Sequence, residues 1–223
     1  MQTDLPLILN LDHGKSLEYI KEAVEAGYGA VHFDGSKLSV EDNIQIARKI
    51  VQYAHKKDVL VEGEISAIGG ASKKLGKAPE IREEDLTDPD IAEKFIIKTG
   101  VDSLAVNIGT FHGVEIKENE FVGKHINFKR LRELREKIGK KVFLVLHGGS
   151  GVGAEEIKEA VKNGIVKINV NTELRIAYAE TLKQFLKENP SEVVPYKIMP
   201  GVIGAIQKVV EEKIKLFGSA NKI

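Results

Sequence analysis

The sequence predicts an α/β protein in which strands and helices alternate along one chain, so that a parallel sheet is covered by helices. Three observations carry that prediction. Short apolar runs rich in β-branched residues alternate with longer segments whose apolar residues recur near a 3.6-residue period. Glycines (Gly27, Gly100, Gly139 and Gly164) fall where those helices should stop. Three of the apolar runs also end on a histidine followed at once by glycine: LILNLDHG (His13), LAVNIGTFHG (His112) and FLVLHGGSG (His147).

In chain order, residues 5–11 form a nearly continuous apolar run and read as the first strand, followed by an amphipathic helix over 17–26. A second strand at 30–33 leads to a helix over 40–55, where Ser39 and Asp42 stand as N-cap and acidic third residue. A third strand at 59–64 runs into the longest irregular stretch, 66–87, rich in Gly, Lys and Glu. Such a loop exceeds the usual strand-to-helix connection and is expected to be a lid. The alternation then resumes: helix 89–99, strand 103–108, helix 128–138, strand 142–146, helix 154–162 and strand 165–170. After Thr172 come a long helix to 186, a proline-containing turn over 189–201 and a final helix over 202–217. Six strands are two fewer than a closed (β/α)₈ barrel requires, and an open sheet organised by a change in strand order is the alternative.

Length and composition bound the rest. A chain of 223 residues supports one sizeable core and reads as a single domain over 1–223. Its 33 basic and 33 acidic side chains cancel, so neither nucleic acid nor a membrane surface is an expected partner. Cysteine is absent, which leaves nitrogen and oxygen donors for any metal. No apolar stretch reaches the ~20 residues of a spanning helix, and Met1 leads into QTDLP rather than a charged and then an apolar segment. A cytoplasmic protein is the expectation.

The three histidines are the centre of the functional reading. Rings at the ends of separate parallel strands meet at one rim, where three neutral imidazoles bind a divalent cation and leave a coordination position open. His32, His55 and His125 read instead as packed or exposed. Asp12 precedes His13 where the chain turns, so both side chains can reach the rim and the carboxylate can pass a proton. Glu62 and Glu64 share one side of their strand; Glu64, nearer the rim, is a candidate outer or alternate metal ligand, and Glu62 an internal ion-pair partner. Two segments suit a phosphate. HGGSG offers Gly149, Ser150 and backbone donors before a helix, and KINVNTELR places Asn169, Asn171 and Thr172 at the next strand-to-helix junction.

These stretches resemble those of the class II, metal-dependent fructose-bisphosphate and tagatose-bisphosphate aldolases. The segments that carry the resemblance are LDHGKS, HFDGSKLSVEDNI, VEGEISAIGG, TGVDSLAVNIGTFHG, LHGGSG, INVNTELR and VVEEKIKLFGSANKI, in family order over essentially the whole chain. The resemblance implies a TIM barrel, dimeric or tetrameric, that reversibly cleaves a ketose bisphosphate, fructose 1,6-bisphosphate foremost, to dihydroxyacetone phosphate and an aldehyde phosphate. Family members carry roughly 70 residues ahead of LDHG that supply two strands, so this chain is expected to hold about six of the eight βα units. By resemblance, His13, His112 and His147 bind the catalytic cation, usually Zn²⁺, and Glu64 serves an alternate metal position. Asp12 exchanges a proton with the substrate hydroxyl. Gly113, Gly149, Ser150, Asn171 and Thr172 cradle the dihydroxyacetone phosphate group, with a monovalent cation as a further expected cofactor, and Asn169 holds substrate near the metal.

The chain departs from the family pattern in its lid. Ala71 and Ser72 stand where acidic residues are common, which turns attention to Glu80, Glu83 and Glu84. Ile116 with Lys117 beside it occupies a position often given to a phosphate-contacting lysine, and Phe111 one often small. Alternatives to the leading function are a different phosphorylated ketose as substrate and a non-catalytic homologue that retains a metal or sugar-phosphate site. A metal-dependent hydrolase on the same fold is disfavoured.

Overall fold

A computed structural model describes residues 5–118 and 120–222. The elements follow in chain order as β1 (Asn10–Gly14), α1 (Leu17–Glu25), β2 (Ala30–Asp34), α2 (Val40–Ala54), β3 (Leu60–Glu64) and β4 (Gly70–Leu75). Next come α3 (Pro89–Thr99), β5 (Ser103–Val106), β6 (His112–Lys117), β7 (Glu120–Phe121), α4 (Phe128–Ile138) and β8 (Phe143–Leu146). The chain continues through α5 (Ala154–Lys162), β9 (Ile165–Ile168), α6 (Thr172–Glu188) and α7 (Pro195–Leu216).

Two sheets result. The main one has the order β1-β2-β3-β5-β8-β9 with every neighbouring pair parallel. Neighbours in the sheet follow one another in the chain, so there is no reversal of strand order to mark an open doubly wound sheet. Curvature follows from the distances. β1 and β8 stand four strand spacings apart, about 19 Å in a flat sheet, yet the rings of His13 and His147 at their ends have centroids 5.0 Å apart. The sheet therefore curls into part of a barrel, with helices outside.

Alternation along the strands sorts the two faces. Val31 and Phe33 of β2, Val61 of β3, Leu104 and Val106 of β5, and Leu144 and Leu146 of β8 lie in the core, packed with Ile20, Ile50, Phe95, Leu131, Leu134 and Ile157 from the helices. The intervening residues face inward. His32 lies beside Glu62 and Asp34 beside Glu64 in the β2–β3 register, so a polar row lines the concave side.

Several elements differ from the sequence expectations. Residues 5–9 are not strand: β1 begins at Asn10, because β2 offers partners only from Ala30 onward, and Leu5, Leu7, Ile8 and Leu9 are more than half exposed. Leu9 still accepts hydrogen bonds from the Gly29 and Ala30 N–H groups. The lid is partly ordered as a second, three-stranded sheet, in which β4 pairs parallel with β6 and β6 antiparallel with β7. At Gly70, φ is +87° and an added Cβ would lie 2.1 Å from the His112 carbonyl oxygen, so only glycine admits this pairing. The final helix begins at Pro195, not 202; Pro195 suits the first helical turn, and Pro200 is carried inside the helix.

Candidate metal and phosphate site

The three sequence-predicted histidines come together above the curled sheet. Ring centroids are 5.0 Å apart for His13 and His112, 5.0 Å for His13 and His147, and 5.8 Å for His112 and His147. Imidazoles bound tetrahedrally with nitrogen about 2.1 Å from one cation would have centroids about 5.2 Å apart, close to these ring spacings. The ligand atoms that lie nearest one another are those of Asp12, His13, His32 and His147, with His112 outside that group. His13, next to last in β1, is left-handed with φ +56°, and Asp12 and His13 both line one cavity. His147 follows β8 directly. His112 does not end its apolar run as a strand terminus: β5 stops at Val106, and His112 opens β6, its N–H donating to the Gly69 carbonyl at 2.7 Å.

Carboxylates behind two of the rings set which nitrogen faces the centre. Glu62 Oε1 lies 2.8 Å from His147 Nε2, while His147 Nδ1 is buried with no hydrogen-bond partner. With the ring proton on Nε2, the Nδ1 lone pair is left for a cation. Asp34 Oδ2 lies 3.1 Å from His13 Nδ1, which by the same logic frees Nε2. Orienting a metal-ligating imidazole through its other nitrogen is the usual duty of such carboxylates. Glu62 also pairs with Lys167 Nζ at 2.6 Å, the internal ion pair expected of it. Asp34 went unremarked in the sequence, although HFDGS ends the strand next to LDHG.

His32 is a correction. It is fully buried, but at the centre of the site, with its ring 4.7 Å from His13 and 4.9 Å from His147. The His13 backbone nitrogen and Asp12 Oδ1 lie 3.1 and 3.5 Å from its Nδ1, and its Nε2 faces Glu64 Oε2 at 3.2 Å. Burial opposes charge on His32, but the Asp12, Glu64 and Glu62 carboxylates push its pKa up, to about 9. Glu64 Oε2 also lies 3.8 Å from His13 Nδ1. Asp12, His13, His32 and His147 form one group of closely spaced donor atoms, and His13, Asp34 and Glu64 another. His55 and His125 sit outside, paired with Asp102 and Glu156.

The pKa pattern suits a cation and a base. Burial, then the neighbouring His13 and His147, pulls the His112 pKa down to about 4, so its ring is neutral at physiological pH. Burial works against ionising Asp12, but hydrogen bonding to His32 and the charges of His13 and His147 hold its carboxyl well below the usual range.

A cavity of about 440 Å³ opens over the triad. Asp12, Gly113, Ser150, Asn169, Asn171 and Thr172 line it with the three histidines. Asn169 Nδ2 donates to Asp12 Oδ1 at 3.3 Å, tying the end of β9 to the far side of the sheet. α6 starts at the cavity without a side-chain cap from Asn171. Glu64 and Gly149 do not line the cavity. Glu64 is buried against His32 and His13, and the Gly149 N–H is spent on the Asn169 carbonyl at 3.1 Å.

None of Glu80, Glu83 and Glu84 reaches the cavity to stand where the family has lid acids. Glu83 pairs with Arg130 and Glu84 with Arg82. Lys117 pairs with Glu115 in β6 and also lies outside the cavity. The cavity's cationic side chains are instead Lys15 and Arg175, which sequence reasoning missed; Arg175 reaches the lid through the Ser72 carbonyl at 3.2 Å.

The family model for class II fructose-bisphosphate aldolase matches residues 1–222. The chain belongs to the class II fructose-bisphosphate aldolase family. Among solved structures it is similar to the YdjI aldolase of Escherichia coli K12, with 35% identity, a TM-score of 0.79, and coverage of 98% of this chain and 72% of that one. A putative fructose-1,6-bisphosphate aldolase from Coccidioides immitis matches at 26% identity and TM-score 0.79, covering 98% of this chain and 74% of that one. Fructose-bisphosphate aldolase from Campylobacter jejuni shares the fold at 20% identity and TM-score 0.78, over 98% and 72% of the two chains. Family and fold together mark an aldolase-type lyase of carbohydrate metabolism. Class II aldolases are metal-dependent, and the group of Asp12, His13, His32 and His147 is a His/Asp cluster that could hold a metal ion.

Proposed function

We propose that this chain is a zinc-dependent lyase that cleaves or forms a ketose bisphosphate, fructose 1,6-bisphosphate foremost, from dihydroxyacetone phosphate and an aldehyde phosphate. The observation that carries the reading is the convergence of His13, His112 and His147 beside an ionised Asp12 and a phosphate-sized polar cradle.

Cleavage breaks the carbon–carbon bond between the carbon next to the carbonyl and the hydroxyl-bearing carbon. It leaves negative charge on the three-carbon fragment, which takes up a proton from water to give dihydroxyacetone phosphate. A divalent cation, when bound, would supply electrophilic stabilisation of that charge. His13, His112 and His147 would hold it, with Asp34 and Glu62 fixing two of the rings and Glu64 at an alternate position. Asp12, kept ionised, takes the proton from the substrate hydroxyl in cleavage and returns it in condensation. Asn169, bonded to Asp12, positions the substrate beside it. Gly113, Ser150, Asn171, Thr172 and the open end of α6 receive one phosphate, with Gly149 shaping the turn. Lys15 and Arg175 at the cavity wall suit a second anionic group.

The non-acidic lid residues Ala71 and Ser72, which line the cavity, favour one further reading, a different phosphorylated ketose as substrate. No described helix is long and apolar enough to cross a membrane; a cytoplasmic homodimer or homotetramer is proposed, with neither nucleic acid nor membrane as partner. The test is metal content of the purified protein followed by fructose 1,6-bisphosphate cleavage with and without chelator. Cleavage lost on chelation and restored by zinc supports the proposal. Stoichiometric metal with no turnover on that sugar points to another ketose or to a non-catalytic homologue.

A further inference from the structure

Lys124 is a buried cation that the reaction scheme does not use. It follows β7, is 2% exposed, and donates from Nζ to the Phe111 carbonyl at 2.6 Å and the Gly148 carbonyl at 2.8 Å. The ammonium also stands 4.5 Å from the centroid of the Phe111 ring. Phe111 immediately precedes His112 and Gly148 immediately follows His147, so one charge grips the backbone beside two of the three histidines.

The far ends of the gripped peptides are equally placed. The peptide whose carbonyl is Phe111's carries the His112 N–H, which donates to Gly69 at the root of the lid at 2.7 Å. The peptide whose carbonyl is Gly148's carries the Gly149 N–H, which donates to Asn169 at 3.1 Å. The two segments touch backbone to backbone: at Gly148, φ is +67° and an added Cβ would lie 2.3 Å from the Phe111 oxygen. Lys124 does not line the main cavity; it lies behind the glycine turn, where an added Cβ at Gly151 would lie 3.9 Å from its Cε. Converging backbone carbonyls are how proteins hold a monovalent cation. Here the charge arrives on a lysine stem.

We propose that Lys124 is a tethered monovalent cation of the phosphate cradle, a positioning residue whose ammonium locks the His112 and His147 segments together and holds the turn that receives the anion. This rests on the phosphate reading of the cradle given above. Burial lowers the Lys124 pKa to about 8, against the attraction of Glu173, so the charge is largely kept at neutral pH.

The test is the affinity of the full chain for inorganic phosphate, by calorimetry, in choline, potassium and ammonium chloride at equal ionic strength, so that screening is constant. Wild type is expected to bind phosphate equally in all three salts. Lys124→Ala should bind at least about tenfold more weakly in choline, as expected for loss of charge-assisted bonds, and regain most of that loss in ammonium or potassium. Lys124→Met fills the space without the charge and should be weak in every salt. Wild-type affinity that rises several-fold in potassium overturns the inference, and this arm needs no variant to fold. Lys124→Met with wild-type affinity, or Lys124→Ala with a loss that neither ion restores, also overturns it. A wild type that binds no phosphate in any salt refutes the cradle itself, and this inference with it.

Discussion

Replacing Glu62 by Gln should weaken zinc binding without touching a ligand. The carboxylate is 4% exposed and sits 2.8 Å from His147 Nε2, with Lys167 Nζ at 2.6 Å. Glutamine keeps the shape and an acceptor oxygen but removes the charge that makes the opposite ring nitrogen a better donor. Partners of this kind are worth about 10–100-fold in metal affinity, or about 1.4–2.7 kcal/mol. Because the amide can still accept from Nε2–H, the lower end, about tenfold, is the expected loss. Lys167 is 38% exposed on its side chain, so it can turn to water and its loss of a partner adds little. Competition against a chromophoric chelator at neutral pH reads the change directly. A zinc affinity within about twofold of wild type would refute the assignment of Glu62 as the group that sets the His147 tautomer.

Other consequences can be checked separately. Asp12→Asn should retain zinc but cleave substrate about 10²–10⁴-fold more slowly, as loss of a general base does, measured as kcat on metal-loaded protein. Gly148→Ala forces a Cβ to 2.3 Å from the Phe111 oxygen at φ +67° and should cost more than about 2 kcal/mol in urea unfolding. Leu144→Ala in the fully buried face of β8 should cost about 2–5 kcal/mol in the same assay. The metal-free protein should lose stability on acidification in two stages. His112, depressed to about 4 from 6.5, binds its proton more readily when unfolded, so stability falls as pH drops from about 6.5 to about 4. Glu62, depressed to about 2 from 4.5 despite its burial, by His147, His32 and Lys167, favours the fold above about 4.5 and loses that contribution as pH falls toward 2. Unfolding midpoints that stay flat between pH 7 and 4 would contradict the first stage.

Much of the scaffold was legible because it is local. The Ser39 cap accepts from the Asp42 N–H at 3.1 Å, and the ends of α2, α3, α4 and α5 fall within a residue of the periodic segments. The His13–Gly14 and His147–Gly148 junctions were legible for the same reason, since they lie at the ends of β1 and β8, whereas His112 opens β6 instead of ending a strand. What escaped is what depends on distant partners. The β4 run GASKKL has little apolar alternation and becomes a strand only against β6, across more than 30 residues of chain. His32 looked like a packed strand histidine until curvature brought β2 against β8. Asp34 and Glu62 gained their roles from rings on other strands, and Lys124 from two carbonyls 13 and 24 residues away.

The most direct test of the site is a cobalt(II) titration of the full chain, read by the visible absorption of the bound ion. One cobalt per chain is predicted, with loss of the spectrum on replacing His13, His112 or His147 by alanine, and retention on replacing His55 or His125. A full-strength, one-equivalent spectrum surviving in any of the first three variants would contradict the convergence of those rings on a single cation.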